Sequence, residues 1–302
     1  MDSNRIVPPP PVVPTEDQES ISVWGFNDTR FQMLDGDIVR MTGDRYELAG
    51  TDLPEILGWV RDQIHPDIAA DNLNPSQYPP PIAEARVNEA FVAEVRSFLQ
   101  DDQLDDDAEV RLRHGHGQTQ EEMYRIKHDQ VRRIPDLVVY PADDEQVEKL
   151  VDAAATHNIS LIPYGGGTNV SNALHCPEDE QRMIVSVDMA RMNRILWIDT
   201  DNHMACIQAG AVGRVIAEQL EEYGFTIGHE PDSIEFSTMG GWIATHASGM
   251  KKNRYGNIED IVLDVTVITA RGTLERPHVV PRESIGIGDP RRFIYGSEGG
   301  FG

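Results

Sequence analysis

The chain has 302 residues, 39% of them hydrophobic and 25% charged, the composition of a folded globular protein rather than a disordered or fibrous one. Its 26 Lys and Arg stand against 51 Asp and Glu, a net charge of −25, which argues against a nucleic-acid partner. No window approaches the roughly 18 uninterrupted apolar residues of a membrane-crossing helix. An anionic ligand would have to be held by local features against an unfavourable field. Cys176 and Cys206 are too few for a disulfide framework or a Cys-rich metal site and fit a reducing interior. Met1-Asp2-Ser3-Asn4-Arg5 is not the basic start of a secretory signal.

Residues 1–22, with Pro8-Pro9-Pro10-Pro11, read as a disordered, Pro-rich acidic tail. Residues 23–130 read as an N-terminal region, mainly helical or irregular. In it a Trp24-Gly25-Phe26-Asn27-Asp28 cluster precedes a turn at Asp35-Gly36, and Leu53, Ile56, Leu57 and Val60 suggest a helix. Pro75, Pro79, Pro80 and Pro81 forbid regular helix or central strand. Val87, Phe91, Val95, Phe98 and Leu99 then recur at helical spacing. The acidic run from Asp101 to Asp107 reads as a solvated loop, since it lacks the Gly and bidentate Glu of a calcium loop.

The character changes near Val131, and residues 131–302 read as one domain. A short apolar strand, 137–140, is closed by Pro141. Asp143 or Asp144 caps a helix whose Val147, Leu150, Val151, Ala154 and Ala155 form one face and which Asn158 ends. Strands are expected at 159–164, 183–187, 195–199 and 204–208. A helix follows with Val212, Val215, Ile216, Leu220 and Tyr223 on one side and Gly224 at its end. The alternation of 261–269, turning at Arg271-Gly272 into 273–276, predicts a hairpin. Many short strands with a few helices indicate an α+β fold rather than a doubly wound parallel sheet.

Two stretches carry candidate chemistry. After the strand at 159–164 come Gly165-Gly166-Gly167-Thr168-Asn169. Successive glycines permit positive φ and can turn several N–H groups into one concavity that binds phosphate oxygens by main-chain dipoles. They equally suit a tight turn in which glycines allow close packing. The spacing matches neither a dinucleotide fingerprint, which would need Gly at Val170, nor a P-loop. The second stretch is Gly228-His229-Glu230-Pro231-Asp232-Ser233 leading to Phe236-Ser237-Thr238. Ser237 or Thr238 would cap a helix running to Ser248, with Gly249 as its stop. Gly240, Ala244, Ala247 and Ser248 would leave one face bare, either for packing or for a flat ligand, with hydroxyls at Thr245 and Ser248. The helix N-terminus would offer free N–H groups to an anion, and Lys251, Lys252 and Arg254 form a small cationic patch beside it. His114 and His116 stand at i and i+2 of a segment read as extended, but no third ligand is near and no metal is expected. Trp242 and Met250 read as packing residues.

Taken together, Pro163-Tyr164-Gly165-Gly166-Gly167-Thr168, Met192-Asn193-Arg194-Ile195-Leu196-Trp197, Gly228-His229-Glu230-Pro231-Asp232-Ser233, Ala247-Ser248-Gly249-Met250-Lys251-Lys252-Asn253 and Tyr255-Gly256-Asn257-Ile258-Glu259-Asp260 resemble the alkyldihydroxyacetonephosphate synthase family. Trp24–Asp28, His114-Gly115-His116 and Arg133-Ile134-Pro135-Asp136 add to the likeness, which extends from about residue 23 to 302. The resemblance implies a two-subdomain FAD-binding fold of the vanillyl-alcohol-oxidase (PCMH) type. It implies an FAD-dependent transferase of ether-lipid biosynthesis, which exchanges the acyl group of acyl-dihydroxyacetone phosphate for a fatty alcohol with no net redox change. The FAD pyrophosphate would sit on Pro163, Tyr164, Gly165, Gly166, Gly167, Thr168 and Asn169. Asp232, Ser233, Ile234, Glu235, Phe236, Ser237, Thr238, Thr245, His246, Ala247 and Ser248 would line the cofactor, as would Ser297, Glu298, Gly299, Gly300, Phe301 and Gly302. Covalently flavinylated relatives often carry a His beside this loop; Thr168 and Asn169 stand here, so non-covalent FAD is expected.

As partners the resemblance implies the two substrates, a peripheral membrane contact and a homodimer. It implies a peroxisomal location, although no address is legible in these residues. One departure is Gly300-Phe301, where the family has Thr-Leu. The family's cap and C-terminal region have no counterpart here, so the chain is expected to be an inactive fragment with the FAD site, and no catalytic residue is assigned. The alternatives are an FAD-dependent 2-hydroxy-acid dehydrogenase or oxidase of the same fold, or an inactive flavin-binding remnant.

Overall fold

The computed structural model describes residues 4–12, 19–64, 74–129, 131–275 and 289–302. The chain divides into two units. One comprises Met1–Pro11, Pro81–Glu122 and Val131–Gly302, the other Val12–Pro80 and Met123–Gln130. The first strand, β1 (Arg5–Ile6), belongs to the larger unit.

The smaller unit holds an antiparallel meander of β2 (Phe31–Leu34), β3 (Ile38–Met41) and β4 (Asp52–Leu53), followed by α1 (Ile56–Ile64). The turn between β2 and β3 is the one the sequence announces, with Gly36 at φ 76° and Asp37 at φ 63°. The strands themselves go unannounced. In β2 the apolar Phe31 and Met33 are exposed along with Gln32, so the strand has no inward-facing apolar alternation to read. Leu53 pairs with Val39 in the sheet instead of opening the helix. Phe26 is buried, with the Arg45 guanidinium 3.9 Å above its ring.

The larger unit continues through α2 (Glu89–Val95), β5 (Leu104–Asp105) and α3 (Ala108–Arg113), and α4 (Gln120–His128) begins in it. Next come β6 (Leu137–Val139), α5 (Asp144–His157), β7 (Ser160–Tyr164) and β8 (Ile184–Asp188). The four strands form one sheet in the order β5-β6-β8-β7, with β6 and β7 parallel to β8 and β5 antiparallel to β6. Every residue of β6 and β8 is buried, as in strands covered on both faces. Helix α5 is built as its sequence dictates: the Asp143 carboxylate accepts from Gln146 N, and Asn158 closes it at φ 55°. Its inward face is rotated slightly from the expected one, since Ala153 is buried and Ala155 exposed. Leu150, Ala153 and Ala154 pack with Leu137, Val139, Val185 and Val187, and α2 adds Phe91 and Val95. The acidic run before α3 has a structural use, because Asp107 accepts from Glu109 N and Val110 N as the helix cap.

A second core lies around β9 (Ile195–Asp199), β10 (Met204–Ile207), α6 (Gly213–Glu221) and α7 (Met239–Thr245), with Ile195, Ile198, Ile216, Leu220, Met239 and Trp242 buried together. Strand β1 completes a three-stranded antiparallel sheet by pairing Arg5 with Asp199 and Ile6 with Ile198. The N-terminal stretch is therefore not wholly a disordered tail: Arg5 lies 4.3 Å above the Trp197 ring and Pro9 O accepts from Gln219 Nε2. The chain ends through α8 (Lys252–Tyr255), α9 (Ile258–Ile261), the hairpin β11 (Val267–Thr269)–β12 (Gly272–Leu274), and α10 (Arg291–Ile294). The strand expected from 261 starts only at Val267. Residues 258–261 form a helical turn instead, capped by the Asp260 carboxylate accepting from Asn257 N at 2.9 Å. Arg276, at the expected end of the hairpin, lies outside the described residues. The class is α+β, and no helix among the described residues is long and apolar enough to cross a membrane.

Candidate functional site

The glycine loop leaves the carboxyl end of β7 and is pressed between two other segments of the larger unit. On one side stands the bend before α7. A Cβ on Gly166 would run into the Phe236 carbonyl, and one on Gly165 into the Thr238 hydroxyl. On the other side stands α3, with the Arg113 and Tyr164 side chains filling the space where a Gly167 side chain would go. Gly167 has φ 62°, which any other residue would hold under strain. Close packing thus accounts for all three glycines. The loop also keeps a second property: the backbone N–H groups of Gly166, Gly167 and Thr168 donate to no acceptor among the described residues. Unengaged amides at a strand's carboxyl end are donors of the kind a diphosphate takes.

The loop is buttressed from behind. Arg113 is only 7% exposed and its Nη2 reaches Gly166 O at 3.4 Å. His114 lies between two acceptors, with Nδ1 2.7 Å from Val110 O and Nε2 2.8 Å from the Asp188 carboxylate, and its ring is 4.2 Å from that of Tyr164. Gly117 is packed on Asn169, whose carbonyl accepts from Gln118 N at 2.8 Å. The two histidines do not share an extended segment: His114 is the C-cap of α3, committed to Asp188. His116 contacts Gly117 O at 2.7 Å, and burial pushes its pKa down to about 4. No group of three or more His, Cys, Asp or Glu among the described residues is placed to hold a metal ion.

The bend 232–238 is fixed to the second core. Ser233 has φ 58°, and its carbonyl accepts from Phe236 N and Ser237 N. Ile234 packs against that core, and Ile234 O and Ser237 O receive Arg214 N and Gly213 N. Asp232 is exposed and Glu235 half-buried. Helix α7 departs from expectation in two ways. It stops at Thr245 because His246 turns left-handed at φ 55°, so Ala247 and Ser248 lie beyond its face and Gly249 is not its stop. Its N-terminal amides are not free: Met239 N donates to Ala211 O, Gly240 N to Ala209 O at 2.7 Å, and Gly241 N to Thr238 Oγ1. Gly240 is small because it lies on Ala209. The Thr245 hydroxyl donates to Gly241 O and that of Ser248 to Asn257 Oδ1. Lys251 of the cationic patch is held by Glu230 at 2.5 Å. Trp242 is buried as expected and donates to Ser237 Oγ at 2.8 Å, whereas Met250 is 78% exposed rather than packed.

The last segment joins the same neighbourhood. Glu298 N donates to Ala244 O at 2.8 Å, a Cβ on Gly299 would lie 3.1 Å from Pro163, and the buried Ser297 hydroxyl has no partner among the described residues. His246 stacks on Tyr295 at 5.4 Å. Gly300 and Phe301 are exposed, and Gly302 sits beside Val267. The structure therefore brings segments 163–169, 236–238, 244–246 and 297–299 together, while Asp232 stays at the surface. Sequence reasoning missed Arg113. Its signal was faint: Arg111 and Arg113 flank Leu112 in an otherwise acidic region.

Comparison with known proteins agrees with this architecture. Residues 135–277 match a family model described as an FAD binding domain. An alkyldihydroxyacetonephosphate synthase of Caenorhabditis elegans is 42% identical over 282 residues, 92% of this chain and 46% of the relative. One of Dictyostelium discoideum is 36% identical over 298 residues, again 92% and 46%. A solved structure of an alkyldihydroxyacetonephosphate synthase superposes with a TM-score of 0.83 at 34% identity, covering 95% of this chain and 53% of that one. The chain spans about half the length of the curated relatives it matches. FAD is its cofactor, the resemblance read in its motifs holds along nearly its whole length, and the fold is the PCMH-type FAD-binding fold. The chain is thus similar to alkyldihydroxyacetonephosphate synthases along 92% of its own length and 46% of theirs, and it carries a PCMH-type FAD-binding fold.

Proposed function

We propose that this chain holds the FAD of an ether-lipid synthase, which replaces the acyl group of acyl-dihydroxyacetone phosphate by a fatty alcohol. The carrying observation is the loop at 165–168, where three amides remain unengaged although the glycines are packed tightly. Those amides would take the diphosphate of FAD by neutral dipoles, which suits a protein of net charge −25. Segments 236–238, 244–246 and 297–299 would line the cofactor. When bound, the flavin ring supplies the reacting centre, and the protein supplies binding and orientation. With Thr168 and Asn169 beside the loop, the cofactor is held without a covalent bond. A peroxisomal setting, a lipid-surface contact and a homodimer belong to the same reading, carried by kinship alone.

The test has two stages. Purified chain should retain yellow, stoichiometric FAD after desalting and release it intact on denaturation; FAD left attached to the polypeptide would overturn the non-covalent reading. Loaded protein is then given acyl-dihydroxyacetone phosphate and labelled fatty alcohol. Labelled ether supports the transferase. Lasting anaerobic bleaching by a 2-hydroxy acid, with no ether, supports a dehydrogenase instead. Bound FAD with neither reaction confines this chain's own role to holding flavin.

A further inference from the structure

The glycine loop has a buried cation behind it whose position suggests more than packing. Residues Arg111, Leu112 and Arg113 of α3 are all buried, and an arginine is seldom removed from water without a task. Arg111 has a structural one: its Nε donates to Pro135 O at 3.0 Å and its Nη2 to Ala83 O at 2.6 Å. Arg113 instead approaches the loop, with Nη2 on Gly166 O and Nη1 2.7 Å from where a Gly167 Cβ would stand. In a trans peptide the C=O of one residue and the N–H of the next point in opposite directions. A guanidinium drawing the Gly166 carbonyl toward α3 therefore aims the Gly167 N–H, one of the loop's unengaged amides, away from α3.

We propose that Arg113 is a positioning residue for the phosphate-binding face of the loop. It fixes the Gly166–Gly167 peptide from behind, and its charge makes the local potential less negative on an acidic chain. The proposal rests on the reading of this loop as the FAD diphosphate site. It predicts a selective defect, because only ligands with the diphosphate feel the orientation of that peptide.

The experiment compares FAD with riboflavin, which has the ring and no phosphate, in binding titrations to flavin-stripped protein followed by fluorescence. Arg113→Met should weaken FAD by about tenfold or more, the scale of a lost charge-assisted hydrogen bond, and leave riboflavin binding unchanged. Arg113→Lys, which keeps charge but not the fork, should recover part of the loss. Equal losses for both ligands, or no loss for either, overturn the role of Arg113 while leaving the site reading intact. A wild-type chain that binds no FAD overturns both. Should Arg113→Met lack a cooperative melt, Arg113→Lys decides: an unchanged FAD-to-riboflavin ratio in a folded variant rejects the proposal.

Discussion

Gly166 has the Phe236 carbonyl where its side chain would be. Gly166→Val must displace either the loop or the bend before α7, so it is expected to abolish flavin retention on desalting and lower the melting temperature. Wild-type flavin content in that variant would remove the loop from the site. A second residue-scale test concerns the Arg133–Asp136 pair, both buried and joined at 2.7 Å. The Asp136 carboxylate also accepts from Arg86 N and Ile184 N, and Arg133 donates to Arg182 O, so the pair ties three stretches of chain together. Arg133→Met leaves that carboxylate buried without its counter-charge, and urea denaturation should show a loss of about 3–5 kcal/mol. His116 sets a pH dependence. Burial holds its pKa near 4 against an ordinary 6.5, so between those values the unfolded chain binds the extra proton and stability falls as pH is lowered. His116→Gln is expected to flatten the stability profile between pH 6.5 and 4 relative to wild type; an identical slope would refute the assignment. These partnerships were hidden in the sequence for one reason. Glycines and charges can be read in place, but Arg113 meets Gly166, and Asp136 meets Ile184, only after the sheet has formed.

Helix α5 shows what an element needs in order to be legible. Asp143, the recurring apolar positions and Asn158 agree with one another over Asp144–His157, and the helix starts and stops where they say. Asp143→Ala should cost about 1 kcal/mol by thermal or chemical denaturation, the usual worth of an N-cap. Helix α7 was misjudged because its stop is made by His246 in a left-handed conformation, a residue type that announces nothing, while Gly249 offered a false stop further on. The short strands of the meander were missed for another reason. Each has few residues, and its outward positions carry apolar side chains such as Phe31 and Met33, so period-two patterning never appears.

At the scale of the whole molecule the excess of acidic residues governs encounter with ligands. FAD is itself an anion, so its approach to a chain of net charge −25 is opposed at long range. Raising ionic strength from about 0.01 to 0.15 M shortens the screening length from roughly 30 to 8 Å, and stopped-flow association of FAD with stripped protein should accelerate. Slowing would show that local cations, rather than the global field, control entry. The overall class was readable from element types alone, since short strands mixed with helices already excluded a doubly wound sheet. The division into two units was not, because it gathers stretches far apart in the chain, 12–80 with 123–130.

Strand β1 leaves one thing more to settle. Arg5 and Ile6 find their partners at Asp199 and Ile198, far along the chain, so during synthesis β1 waits for β9 before its place exists. Until then, and permanently in a protein trimmed of its first ten residues, the outer edge of β9 is left open to other strands. Loss of residues 1–10 therefore bears on self-association more than on flavin binding, and a chain lacking them should sediment as larger species while remaining yellow.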